Sequence, residues 1–199
     1  MSLPVILPDS AEFHARYDAG ENQVVWTELV ADRDTAVSLM MKLTGAAPLS
    51  FMLESVTGGE VRGRYSVIGH APDLIWRCRG DRAEINRTAA DDPQAFVAEG
   101  DGALASLRHL IAESRIDLPP GMPPMAAGLF GYLGYDMIRL VERLPEPNPD
   151  PLGLPDAVWL RPSLIAIVDN VKDQVTLVAP VWVRQGIGAA ESEAEAHAR

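Results

Sequence analysis

The chain has 199 residues and a mass of 21.5 kDa, with 17 Lys and Arg against 28 Asp and Glu, a formal net charge of -11 and an isoelectric point near 4.7. That length suffices for one large domain or two small ones with a buried core, and the acidic balance excludes nucleic acid and other polyanions, which need clustered Lys and Arg. Its one cysteine, Cys78, leaves no intrachain disulfide, no run approaches the roughly 18 apolar residues of a membrane span, and Met1 to Gly20 lacks the pattern of a leader, so the expectation is a soluble, cytoplasmic protein.

In chain order, Val24 to Val30 is β-branched and extended in character, and Asp32 and Asp34 offer N-caps to a helix. Ala36, Leu39, Met40 and Leu43 fall at helical spacing, and Gly45 stands where a left-handed residue ends helices. After Pro48, SFMLESV and RYSVIGHA bracket a Gly-containing loop, and DLIWRCR and RAEIN follow around Gly80-Asp81, which predicts an antiparallel meander. Leu104, Leu107, Leu110 and Ile111 mark a second amphipathic helix, which DLPPGMPP ends. The stretch AAGLFGYLGYDMIRLVERLPEP predicts a strand feeding a helix from about Asp136, where Met137, Leu140, Val141 and Leu144 keep helical spacing.

Five prolines within the eleven residues from Pro145 to Pro155 demand a surface connection. Beyond them AVWLRPSLIAIVDN and DQVTLVAPVWV predict a long hairpin, with Asp169, Asn170, Lys172 and Asp173 around its turn. Residues 186–199 favour a helix in composition but lack an apolar stripe to hold one, so they are expected to be the start of a truncated helix or linker. Strands in twos and threes with helices between them give an α+β class, mainly antiparallel sheet with flanking helices.

Catalytic patterns are scarce. His14, His70, His109 and His197 stand apart, none in a metal-ligand spacing. GGEVRG and GLFGYLG match neither GxGxxG nor a Walker loop, and no GxSxG elbow occurs. The stretch FMLESVTGGEVRGRYSVIGHAP admits two readings. In one, the glycines serve a turn, Arg62 and Arg64 face water, and Glu54 is the polar face of a strand. In the other, Glu54 holds an amino group, Ser55 orients it, and Arg64 holds a carboxylate, a set suited to an amino acid.

Three segments, LESVTGGEVRGRYSVIGHAP, GLFGYLGYDMIRLVERLP and LPDAVWLRPSLIAIVDNVKDQVTLVA, in this order, resemble the N-terminal half of anthranilate synthase component I. The resemblance implies the N-terminal part of that layered fold and places residues 1–199 in one regulatory and scaffold portion. It implies an enzyme that makes anthranilate and pyruvate from chorismate in tryptophan biosynthesis, with Mg2+ and with ammonia from a glutamine amidotransferase subunit. Met52, Leu53, Glu54 and Ser55 correspond to the family's Leu-Leu-Glu-Ser strand, against which feedback tryptophan lies. Leu53, Glu54, Ser55 and Arg64 are therefore the expected tryptophan ligands, Arg62 being the rival of Arg64. Tyr132 and Tyr135 match the GYxGYD segment and are assigned packing roles.

Chorismate and Mg2+ motifs of the family's C-terminal half are absent from this sequence, so no catalytic residue, metal ligand or cofactor is expected within it, and the portion alone should be inactive. Partners implied are tryptophan, the C-terminal catalytic half, the amidotransferase subunit and a possible second copy. Two alternatives stand beside this reading: the N-terminal portion of aminodeoxychorismate synthase component I, and a free-standing ligand-binding module. A further expectation puts Ile165, Ile167, Val175, Leu177 and Val181 of the hairpin on one common face that packs against elements outside this sequence, so that the chain self-associates or covers that face with its own residues 186–199.

Overall fold

The computed structural model describes residues 4–54, 63–146 and 149–199. In chain order its elements are α1 (Ser10–Asp18), β1 (Gln23–Val30), α2 (Ala36–Thr44), β2 (Phe51–Glu54), β3 (Tyr65–Arg79), β4 (Arg82–Asn86), β5 (Val97–Ala98), α3 (Ala103–Glu113), β6 (Phe130–Leu133), a 3-10 helix (Tyr135–Leu140), β7 (Ala157–Asp169), β8 (Gln174–Val181) and α4 (Ala189–Ala198). The class is α+β with antiparallel pairing, as the order of strands and helices predicts. The chain forms two units, one from Met1–Ala71, Arg115–Ala127 and Pro162–Arg199, the other from Pro72–Ser114 and Gly128–Arg161; β3 and β7 each contribute residues to both.

In the first unit the strands run in the order β1, β8, β7, β3, β2. Val25 lies opposite Ala179 and Leu29 opposite Val175, while Ala166 faces Leu177 and Val168 faces Val175 across β7 and β8. Opposed residues share a face of the sheet. On that face two clusters form, one joining Val25, Ala179 and Val181 to Phe13 and Tyr17 of α1 and to Ala189 and Ala196 of α4, the other joining Ile68, Ala166, Val168 and Val175 to Leu39 of α2. Burying Phe13 and Tyr17 alone contributes about 1.5–3 kcal/mol each.

The helix ends show why the local sequence folds this way. Thr35, rather than Asp32 or Asp34, caps α2: its hydroxyl accepts from the Ser38 amide at 3.1 Å, and the Ser38 hydroxyl accepts from the Thr35 amide at 3.0 Å. Asp34 instead accepts from the Ser38 hydroxyl and from Lys42 Nζ. Gly45 closes the helix in the left-handed region at φ 54°, as expected. Residues 10–18, to which sequence reasoning assigns no element, form α1, with the Asp9 carboxylate accepting from the Glu12 amide. Residues 189–198 form α4, whose buried stripe is small rather than apolar and bulky: Ala189, Ser192 and Ala196 let α4 approach α1 and β8 closely.

The expectation of one common hairpin face is overturned, although α4 does pack against Ala179 and Val181 of β8, the cover expected of residues 186–199. Register pairs Ile165 with Val178 and Ala166 with Leu177, so Ile165 and Ile167 lie on the face opposite to Val175, Leu177 and Val181. Ile165, Ile167, Val175 and Val181 are all buried and Leu177 partly so. Both faces of the hairpin are covered, and its run of apolar residues reflects that double burial.

In the second unit β4 pairs with β3 and with β5, and β6 pairs with Ala157–Leu160 of β7. The core gathers Leu74, Trp76, Cys78, Ile85, Leu107, Leu110 and Met137. The indole N–H of Trp76 donates to the Ser106 hydroxyl at 2.8 Å, and that hydroxyl donates to Glu99 at 3.0 Å, so these two buried groups are satisfied. The expected helix after Asp136 is a six-residue 3-10 helix in which only Met137 is buried. The helix makes two 3-10 turns and ends at Leu140, and Arg139 donates to the Pro145 carbonyl beyond it.

Candidate functional site

Register places the predicted ligand strand. Phe51 lies opposite Gly69, Met52 opposite Ile68, Leu53 opposite Val67 and Glu54 opposite Ser66. Met52, Glu54, Ile68 and Ser66 therefore share one face, where Met52 and Ile68 join the cluster with Leu39, and Leu53 points to the other face with Val67. The side chains of Leu53 and Glu54 are exposed. Ser55 and Arg62 lie outside the described residues.

Arg64 stands at the entry to β3, and its guanidinium meets Asp169 at the end of β7. Its Nε donates to the two Asp169 carboxylate oxygens at 3.0 and 3.1 Å, and Nη2 donates to one of them at 2.6 Å. The side chain of Asp169 is 10% exposed, and the same carboxylate accepts from the amides of Val171 and Lys172 in the turn. The Arg64 guanidinium holds the Asp169 carboxyl below the usual carboxylate range; burial opposes this, and the two turn amides reinforce it. Two more bonds run beside this pair. The Asn170 amide donates to the Arg64 carbonyl at 2.9 Å, and Asn170 Nδ2 donates to the Ser66 hydroxyl at 3.3 Å.

Sequence reasoning thus brought Glu54 and Arg64 to neighbouring strands but missed Asp169 and Asn170. Their signal was an acid and an amide together in a hairpin turn, a pattern that turns use for purely local reasons. It gives no hint of a partner 105 residues earlier in the chain. Among the described residues no group of three His, Cys, Asp or Glu side chains is placed to hold a metal ion, and no described helix is long and apolar enough to cross a membrane.

The glycine-rich segment resolves as strand packing. A Cβ on Gly131 would lie 1.9 Å from the Val158 carbonyl oxygen, and one on Gly134 would lie 2.8 Å from that of Asp156, so these glycines allow β6 to approach β7. Tyr132 donates its hydroxyl to the Pro155 carbonyl at 2.8 Å. Tyr135, which opens the 3-10 helix, is 85% exposed.

No family model matches the chain. Anthranilate synthase component 1 of Cereibacter sphaeroides is 60% identical to it over 187 residues, covering 94% of this chain and 37% of that relative. The chain belongs to the anthranilate synthase component 1 family. The anthranilate synthase component 1 proteins of Synechocystis sp. and Pseudomonas putida are 34% and 36% identical, over 88% and 77% of this chain and 34% and 31% of their own lengths. The crystal structure of anthranilate synthase component I from Streptococcus pneumoniae shares the fold, with a TM-score of 0.51 at 17% identity over 85% of this chain and 35% of that one. The chain therefore spans about a third of the length of the anthranilate synthase relatives that it matches.

Proposed function

We propose that this chain is the N-terminal portion of an anthranilate synthase component I and that it supplies much of the tryptophan feedback site. The observation that carries the reading is 60% identity across 94% of the chain with an anthranilate synthase component 1. In this reading the whole protein forms anthranilate and pyruvate from chorismate in the cytoplasm. Chorismate and Mg2+ are held by residues outside this chain, and ammonia comes from a glutamine amidotransferase subunit. The present portion is inactive alone.

Leu53, Glu54, Ser55 and Arg64 serve as tryptophan ligands, Glu54 for the ammonium group and Arg64 toward the carboxylate. The curated relatives reported above all bear the tryptophan-branch name, which favours this reading over the aminodeoxychorismate enzyme. Extending the reading frame past codon 199 and assaying the resulting protein with chorismate, Mg2+ and ammonia tests it. Anthranilate fluorescence that tryptophan suppresses is the expected result, with none from residues 1–199 alone. A stop codon at that point, or a longer protein that makes no anthranilate, would overturn it.

A further inference from the structure

We propose that the Asp169-Asn170 turn is a latch that positions the feedback site, with Asp169 as its main positioning residue; this rests on the tryptophan reading above. Glu54 lies opposite Ser66 across β2 and β3, and Arg64 stands just before β3. The turn after β7 holds this end of β3 at three points: the forked ion pair to the Arg64 side chain, the Asn170 amide to the Arg64 carbonyl, and Asn170 Nδ2 to the Ser66 hydroxyl.

Each contact restrains a different part of the site. The fork fixes the plane and direction of the guanidinium, which a single contact to a flexible side chain would not do. Backbone pairing fixes where β3 begins. The Ser66 link fixes the residue that faces Glu54 across the sheet. Asp169 is in turn held by the Val171 and Lys172 amides, so the carboxylate is placed before any ligand arrives. A site that must match both charges of an amino acid at once depends on such prior placement. In this arrangement Asp169 touches no ligand. It acts through Arg64.

The test uses the full-length enzyme, scoring tryptophan inhibition of each variant against its own uninhibited rate and its folding by thermal melting. Asp169→Asn keeps the shape of the side chain and removes its charge. It is expected to raise the tryptophan concentration for half-inhibition by about tenfold or more, the loss of one charged, forked hydrogen bond pair. Asp169→Glu restores the charge one methylene further out and should fall between parent and Asn. Asn170→Ala removes the Ser66 link alone and should give a smaller rise, about threefold; it decides the matter if Asp169→Asn does not fold. A folded Asp169→Asn enzyme inhibited like the parent overturns the latch. Tighter inhibition also overturns it, since Asp169 would then be competing with the ligand for Arg64. Glu54→Ala separates the two levels: if that variant keeps full inhibition, the feedback reading itself fails, whereas a weakened Glu54→Ala beside an unaffected Asp169→Asn removes only the latch.

Discussion

Cys78 is chemically quiet because of where β3 puts it. Its sulfur lies 3.4 Å from Met137 Sδ in the core of the second unit. Burial pushes the thiol up to about 11 from an ordinary 9.0, with the charge of Asp156 acting in the same direction. The thiolate is the reactive form, so Ellman's reagent at neutral pH should leave the native chain unlabelled and label one thiol per chain in denaturant; prompt labelling of native protein would contradict this burial. Linkage gives a second readout. A folded-state value above the unfolded one contributes stability that is whole below about pH 9 and is lost as pH rises toward 11. A Cys78→Ala variant should lack that alkaline loss while being less stable at neutral pH. The sequence places Cys78 in an apolar run, but its sulfur neighbour comes from 59 positions away.

At the scale of elements, most strands and helices are legible because they carry their own periodicity. The β7–β8 hairpin, α2 with Gly45 and α3 all emerge where the spacing puts them. α4 is legible from composition alone, and what holds it is not: Ala189, Ser192 and Ala196 have a small size that matters only once α1 lies against them. The 3-10 helix is the converse case: Met137, Leu140, Val141 and Leu144 have helical spacing, but the helix ends at Leu140 and only Met137 in it is buried. β6 is set by close backbone approach. Gly131→Ala places a methyl group against the Val158 carbonyl and should destabilise the chain by about 2 kcal/mol or more. Urea unfolding measures it, and a cost within about 0.5 kcal/mol, the range of an ordinary surface change, would show that β6 does not need to approach β7 so closely.

Across the whole molecule, burial on both faces of β7 and β8 shapes the expected stability map. Ile165 and Ile167 are 0% and 1% exposed on one face, and Ala166 and Val168 are equally enclosed on the other. Ile165→Ala should cost roughly 2–5 kcal/mol, whereas Val30→Thr, at a residue 76% exposed on the end of β1, should stay within about 0.5 kcal/mol. Chemical denaturation of both variants checks the contrast. Equal effects would mean that the hairpin faces solvent on one side, as simple alternation along the strands had led us to expect.

What the sequence by itself determined is whatever rests on neighbours within a few residues or on similarity carried by whole segments. The β1, β7 and β8 runs, the αL stop at Gly45, the proline punctuation from Pro145 to Pro155 and the anthranilate synthase likeness are all of this kind. Tertiary structure alone decided which face each residue took, because a shift of one residue in register moves every side chain across the sheet. That register separated Leu53 from Glu54, put Ile165 behind Val175, and brought Asp169 and Asn170 to Arg64 and Ser66. Ion pairs between distant segments leave no periodic trace in a sequence, so this part of the candidate site became visible only once the strands were paired.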